Sequence, residues 1–251
     1  MRLNKLAAFL FIFLPLACAA AAKADSFSVG EFVTYDQGNW GNGAKSLGDE
    51  LLYADYASVY APESDVLTVG VVGNPGQYYL AFTNATAVSY GVLSGGTPGP
   101  LTYSLTNPGN LVNSDGGIFG GEVVALELNV SFSNAGLLGG TSSIPFGDLI
   151  LTNFTGSLST QELNGLTVNQ FLGIANTCLS GGSCPYGVGN INSITAALNG
   201  SFESGDYVSP FADTNLALPS SGPLAHAGTI QPAASGARAG RPRAASPSHE
   251  A

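Results

Sequence analysis

The chain has 251 residues, room for one large domain or two small ones, and a net charge of −10 although only 10 % of its residues are charged. From Asp25 to Gly222 sixteen acidic residues stand against one basic residue, Lys45. So acidic a surface repels nucleic acid and anionic lipid, which excludes DNA and RNA as partners and suits an exported protein or one that meets Ca²⁺.

The N-terminus, MRLNKLAAFLFIFLPLACAAAAKADS, reads as a signal peptide over residues 1–24. Arg2 and Lys5 supply its basic start. The apolar run Leu6–Leu16 is too short to span a bilayer as a stable helix. Ala22 and Ala24 fit the small-x-small cleavage rule, with cleavage before Asp25. Pro15 stands where a lipoprotein signal has leucine, which argues against lipidation at Cys18. In this reading frame the signal peptide is the chain's only membrane contact.

Residues 25–159 alternate short apolar runs with turn residues, the pattern of an all-β domain. Strands are expected over 26–35, 53–61, 65–72, 78–93, 101–105, 122–132 and 148–154. In EVVALELNVSF (122–132), Val124, Leu126, Leu128, Val130 and Phe132 recur with period two, which predicts one buried face. Turns such as GGTPGP (95–100) and NSDGG (113–117) separate the runs. The expected fold is mainly β, an antiparallel, jelly-roll-like β-sandwich.

The texture changes near Gly165. Thr167 and Gln170 form a capping box, Leu166 and Phe171 occupy staple positions, and Val168, Phe171, Leu172, Ala175 and Leu179 recur at helical spacing. Gly181-Gly182 ends that helix. A second helix is expected over 190–202, with Ile191, Ile194, Leu198 and Phe202 on one stripe. Cys178 and Cys184 remain once the signal is removed, and an even count in an exported chain argues for a disulfide. Residues 160–205 thus read as a disulfide-linked helical hairpin packed on the sandwich. Residues 206–251 read as a disordered tail, basic at its end through Arg238, Arg241 and Arg243.

The stretch FGDLILTNFTGSLSTQELNGLTVNQFLGIANTCLSGGSCPYGVGNINSITAALNGSF, with much of Tyr78–Phe132 upstream, resembles exported bacterial proteins of the PEP-CTERM sorting type. The shared landmarks are Gly-Asp-Leu, Leu-Asn-Gly-Leu-Thr-Val, an Ala-Asn near a helix end with glycines after it, and a closing Leu-Asn-x-x-Phe. The resemblance implies a secreted or surface-anchored protein of a Gram-negative-type bacterium, with no established activity. Relatives of that type end in a Pro-rich motif, an apolar helix and an Arg cluster, which an exosortase processes. Here that signal is missing, and Cys178 and Cys184 replace small residues. Read one base forward, the Ala/Pro/Ser codons after Gln231 permit a leucine-rich run closing in an Arg cluster, the form of the missing anchor. The tail is therefore a frameshifted anchor remnant or a plain disordered basic tail.

No histidine lies in the body; His226 and His249 are in the tail, so Ser-His-Asp and Cys-His catalysis lack a base there. Asp49-Glu50, Glu63-Asp65 and Glu122-Glu127 are the nearest carboxylate pairs for glycoside chemistry, and on a strand Glu122 and Glu127 would face opposite ways. No catalytic residue is assigned and no cofactor is expected. Asp115 in NSDGG and Asp148 in FGD are the Ca²⁺ candidates, without an Asp-x-Asp-x-Asp loop to support them. The Gly-rich stretches lack the Lys of a phosphate loop. NAT, NVS, NFT and NGS match the glycosylation pattern, which a bacterial protein would leave bare.

Two roles follow. The first is structural or adhesive, at the cell surface or in an extracellular matrix, without catalysis. The second is a secreted glycan-binding module that meets extracellular polysaccharide through Trp40, in the loop QGNWGNG, and Tyr35.

Overall fold

The computed structural model describes residues 26–220 apart from 42, 44, 62–64, 110–115 and 157. The signal-cleavage residues Ala22, Ala24 and Asp25, the Ca²⁺ candidate Asp115 and the basic end of the tail lie outside the described residues.

The expected β-sandwich is overturned. Of the described residues about 44 % are helical and only 10 % are in strands, which form two small sheets. At its centre is a long helix, α4 (Gly117–Asn134), which contains the whole of the expected strand 122–132. Val123 and Ala125 are buried as fully as Val124, Leu126, Leu128 and Phe132. A helix that is apolar all round belongs in the interior, and the two-residue alternation is incidental to that. The residues that seemed solvent-facing are accommodated individually. Asn129 is buried in a hydrogen-bond network, and Ser131 donates to Glu127 one turn back at 2.9 Å.

Helices also replace the expected strands 53–61 and the second half of 78–93. In α2 (Leu47–Tyr60), Leu52, Tyr56 and Tyr60 are buried at four-residue spacing, and Asp49 and Glu50 sit in the first turn, where the helix dipole favours negative charge. In α3 (Ala85–Val92), Asn84 caps the start by accepting from the Ala87 N–H at 2.9 Å, and Val88 and Val92 are buried. A one-turn helix, α1 (Gln37–Trp40), precedes α2 and is capped by Asp36.

The strands that do form are short. β1 (Leu67–Gly70) pairs antiparallel with β2 (Tyr79–Phe82), Leu67 opposite Phe82 and Gly70 opposite Tyr79. β3 (Leu105–Thr106) adds to β2 in parallel. β4 (Ile150–Leu151) pairs antiparallel with β5 (Leu216–Ala217). Of 26–35, only Thr34 enters a ladder, bridging Glu203.

A one-turn helix, α5 (Leu158–Gln161), comes next, and the helices expected after Gly165 are present. α6 (Val168–Leu179) carries the capping box: the Gln170 N–H donates to Thr167 Oγ1 at 3.1 Å, and the Thr167 N–H donates to Gln170 Oε1 at 2.8 Å. α7 (Val188–Asn199) buries Ile191 and Leu198. Both pack on α4, which also meets α1, α3 and β1. Cys178 and Cys184 are paired with Cα atoms 4.8 Å apart, tying the end of α6 to the loop before α7. The ordered body runs past 205, where the tail was expected to begin: α8 (Pro210–Asn215) starts at an N-cap made by Ser209, and β5 follows it.

Among the described residues no helix is long and apolar enough to cross a membrane.

Candidate functional site

The N-terminal segment 27–36 turns at Ser28–Glu31, runs on across the body through Val33–Asp36, and shapes the best candidate site. Phe27 and Phe32 anchor it in an aromatic cluster with Phe202, at centroid distances of 5.6, 5.1 and 5.1 Å. On one side, the Thr34 N–H donates to Phe202 O at 3.0 Å and Thr34 O accepts from the Ser204 N–H at 2.9 Å. On the other side lie α4 and the turn 138–145. There Glu31 O accepts from the Ser142 N–H at 2.9 Å. Tyr35 N–H donates to Asn129 Oδ1 and Tyr35 O accepts from Asn129 Nδ2, both at 2.8 Å.

In an extended segment successive residues turn their N–H and C=O to opposite sides. Thr34 faces Phe202 and Ser204, so Val33 faces the same side as Tyr35, towards α4 and the 138–145 turn. That side carries a cleft of about 280 Å³, lined by Glu31, Phe32 and Val33 and, across from them, by Ser133, Asn134, Ser142 and Ser143 among others. Val33 is 8 % exposed, and neither its N–H nor its C=O has a hydrogen-bond partner among the described residues. Phe32, 4 % exposed and lining the same cleft, likewise has no main-chain partner among the described residues, so two successive residues bring unpaired main chain to this site. Gly140 lets the turn come this close, since a Cβ there would stand 2.6 Å from Glu31 O. A second groove of about 390 Å³, lined by Tyr35, Leu47, Glu50, Leu51, Ala54 and Leu137, shares Leu138 as a wall.

An acidic corner closes the far end of the segment. Glu203 accepts from Asn39 Nδ2 at 2.5 Å and from the Asp36 N–H at 3.1 Å. Burial, then the negative charge of Asp36, push its carboxyl up to about 7. Below it, Asn199 Nδ2 donates to Glu122 Oε2 at 2.8 Å; burial raises the Glu122 carboxyl, partly offset by that bond. Burial also raises the Tyr35 phenol, helped by Glu203 and Asp206.

The aromatic residues proposed as a sugar platform are not on the surface. Trp40 is 0 % and Tyr35 4 % exposed, their rings 5.3 Å apart edge to face, and Trp40 Nε1 donates to Asn129 Oδ1 at 3.2 Å. Trp40 offers no face to a ligand, so glycan contact through it is withdrawn; Tyr35 meets the outside only as a wall of the second groove. Asp148 is exposed and accepts from Asn169 Nδ2 at 3.3 Å. Among the described residues no group of three His, Cys, Asp or Glu side chains is placed to hold a metal ion. Two of the four glycosylation patterns begin at Asn129 and Asn199, both fully buried. The cleft itself escaped the sequence reading, because its central groups are main chain. The hydroxyl-rich turn GTSSIP (140–145) was the one visible signal.

Protein-family models, curated proteins and solved structures contain no match to this chain.

Proposed function

We propose that this is an exported protein of the cell surface or extracellular matrix that acts by adhesion and without catalysis, holding an extracellular polysaccharide in the cleft beside Val33. The observation that carries this reading is the cleft's lining: unpaired main-chain groups at Val33 opposite the hydroxyls of Ser142 and Ser143 and the amide of Asn134. Such a wall matches a ligand rich in hydroxyls, and its volume lies near the lower end of ligand pockets, roughly 300–1,000 Å³. The signal-like N-terminus, the acidic body and the resemblance to exported PEP-CTERM-type proteins support the compartment.

The test is retention of the secreted protein by a panel of insoluble polysaccharides. Ser143 is exposed at the cleft, so Ser143→Trp fills its mouth without touching the core. Retention that is lost in Ser143→Trp supports the reading. Equal retention of both proteins would put adhesion elsewhere on the surface, and no retention of either would end the proposal.

A further inference from the structure

Val33 brings one N–H and one C=O to the cleft, side by side on one edge of an extended residue. A single group that meets both must hold an acceptor and a donor pointing the same way. A primary amide does, because its oxygen and one of its N–H bonds lie on the same side of the C–N bond. A trans secondary amide points them apart. The protein makes this primary-amide pairing at two other places. Asn129 pairs with Tyr35, both bonds at 2.8 Å. Asn164 pairs with Phe154: the Phe154 N–H donates to Asn164 Oδ1 at 2.8 Å, and Asn164 Nδ2 donates to Phe154 O at 3.0 Å. Val33 offers the same edge, and among the described residues no side chain fills it. An added peptide strand would need the neighbouring sites too, and there Glu31 O is taken by Ser142 and Tyr35 by Asn129.

We infer that the cleft takes a polysaccharide whose uronic acids are amidated, the amide oxygen accepting from the Val33 N–H and the amide nitrogen donating to the Val33 C=O. This inference rests on the polysaccharide reading above and names its ligand class. Charge favours the amide over the parent acid. Glu31 lines the cleft and the body is strongly acidic, so a uronate is repelled, and its carboxylate has no proton to give to Val33 O. Two ring hydroxyls could reach the same groups only by freezing both rotors, whereas the amide is planar and fixed. Ser142, Ser143 and Asn134, with the open main chain of Phe32, remain for the hydroxyls of the sugar.

The experiment titrates the ¹⁵N-labelled full chain with galacturonide and glucuronide oligomers as amide, methyl ester and free acid, and with glucose oligomers of equal length. The ester is neutral like the amide and keeps the acceptor but lacks the donor. Expected are a shift and slowed hydrogen exchange of the Val33 amide with an amidated oligomer, binding about tenfold weaker for its ester, which leaves Val33 O unpaired, and weaker still for its acid. Val33→Pro deletes the main-chain donor and should lower affinity for the amidated oligomer to about that of the ester for the native chain; should it not fold, the Val33 resonance in the native chain still decides. Equal affinity for amide and ester overturns the amide inference and leaves polysaccharide adhesion standing. A preference for the amide with the Val33 resonance unmoved also overturns it. No binding of any sugar removes both readings. A glutamine-containing peptide that shifts Val33 as strongly overturns the sugar assignment.

Discussion

The side-chain amide of Asn129 pairs with the main chain of Tyr35 as a strand neighbour would, giving one hydrogen bond and receiving one, each of 2.8 Å. Its oxygen also accepts from Trp40 Nε1, and its nitrogen also donates to Asn199 Oδ1 at 3.1 Å. Asn199 carries the chain on to Glu122. One amide thus joins the N-terminal segment, α1, α4 and α7.

Replacing that amide is expected to cost more than the loss of its volume. Asn129→Leu leaves the Tyr35 N–H and C=O and the Trp40 N–H buried without partners, at about 1–3 kcal/mol each. Denaturant unfolding should show a loss of roughly 3–5 kcal/mol, at the severe end for a single substitution. Near-native stability would mean that the network contributes little beyond packing.

Stability should fall as pH rises from acid towards neutral. In the folded protein the Glu203 carboxyl is pushed up to about 7, above its ordinary value of 4.5. Folding therefore takes up a proton between those values. The contribution is fully present below the unfolded value and is lost as pH rises through the folded one. Glu122 shifts in the same direction. Thermal unfolding is expected at a higher Tm at pH 5 than at pH 8. Asp36→Asn keeps the cap on α1, because asparagine caps as well as aspartate, while removing the charge that faces Glu203. The Tm difference should shrink in that variant; an unchanged difference would mean that burial and not the charge of Asp36 sets the Glu203 shift.

Trp40 is the chain's single tryptophan and is fully buried between Tyr35 and Phe132, with ring centroids 5.3 and 5.1 Å away. Its fluorescence should be blue-shifted, resistant to iodide and indifferent to added sugars. Trp40→Ala should destabilise by about 3–5 kcal/mol. Quenching of the native emission by a soluble glycan would restore the surface role withdrawn above.

The Cys178–Cys184 pair closes a short ring, with a sequence separation of six. Cys178→Ser with Cys184→Ser is expected to lower stability by about 2 kcal/mol from loop entropy while leaving the helical signal in circular dichroism unchanged. Because α6 is already capped by Thr167 and Gln170, a collapse of helicity would contradict this local role.

What could be read in the sequence was the local part of the structure. The capping box at Thr167 and Gln170, the stripe of α6 and the strand within 65–72 depend on residues a few positions apart. The 122–132 segment misled because Glu127, Asn129 and Ser131 look like a solvated face. Asn129 is buried only because Tyr35, Trp40 and Asn199 come from far along the chain to meet it. The four-residue spacing of Leu52, Tyr56 and Tyr60 was legible and went unread beside their β-favouring side chains. Trp40 looked exposed in its Gly/Asn loop. It is buried because Gly41 and Gly48 let Leu93 and Tyr35 close over that turn, where a Cβ would collide with them. The cleft has no side-chain signature at its centre, so a sequence cannot announce it.

The segment at residues 27–36 is fastened by groups far away: Asn129, 94 positions beyond Tyr35, and Phe202, whose N–H reaches Thr34 Oγ1 across 168 positions. Contacts at such separation form late, since the intervening chain must first be brought together. Synthesis delivers residues 27–36 near the start and residues 201–204 near the end. Until those last residues arrive, the segment can close upon Asn129 and Ser142 on one side only. The topology thus leaves Thr34 without its main-chain partners until nearly all of the described body has been made.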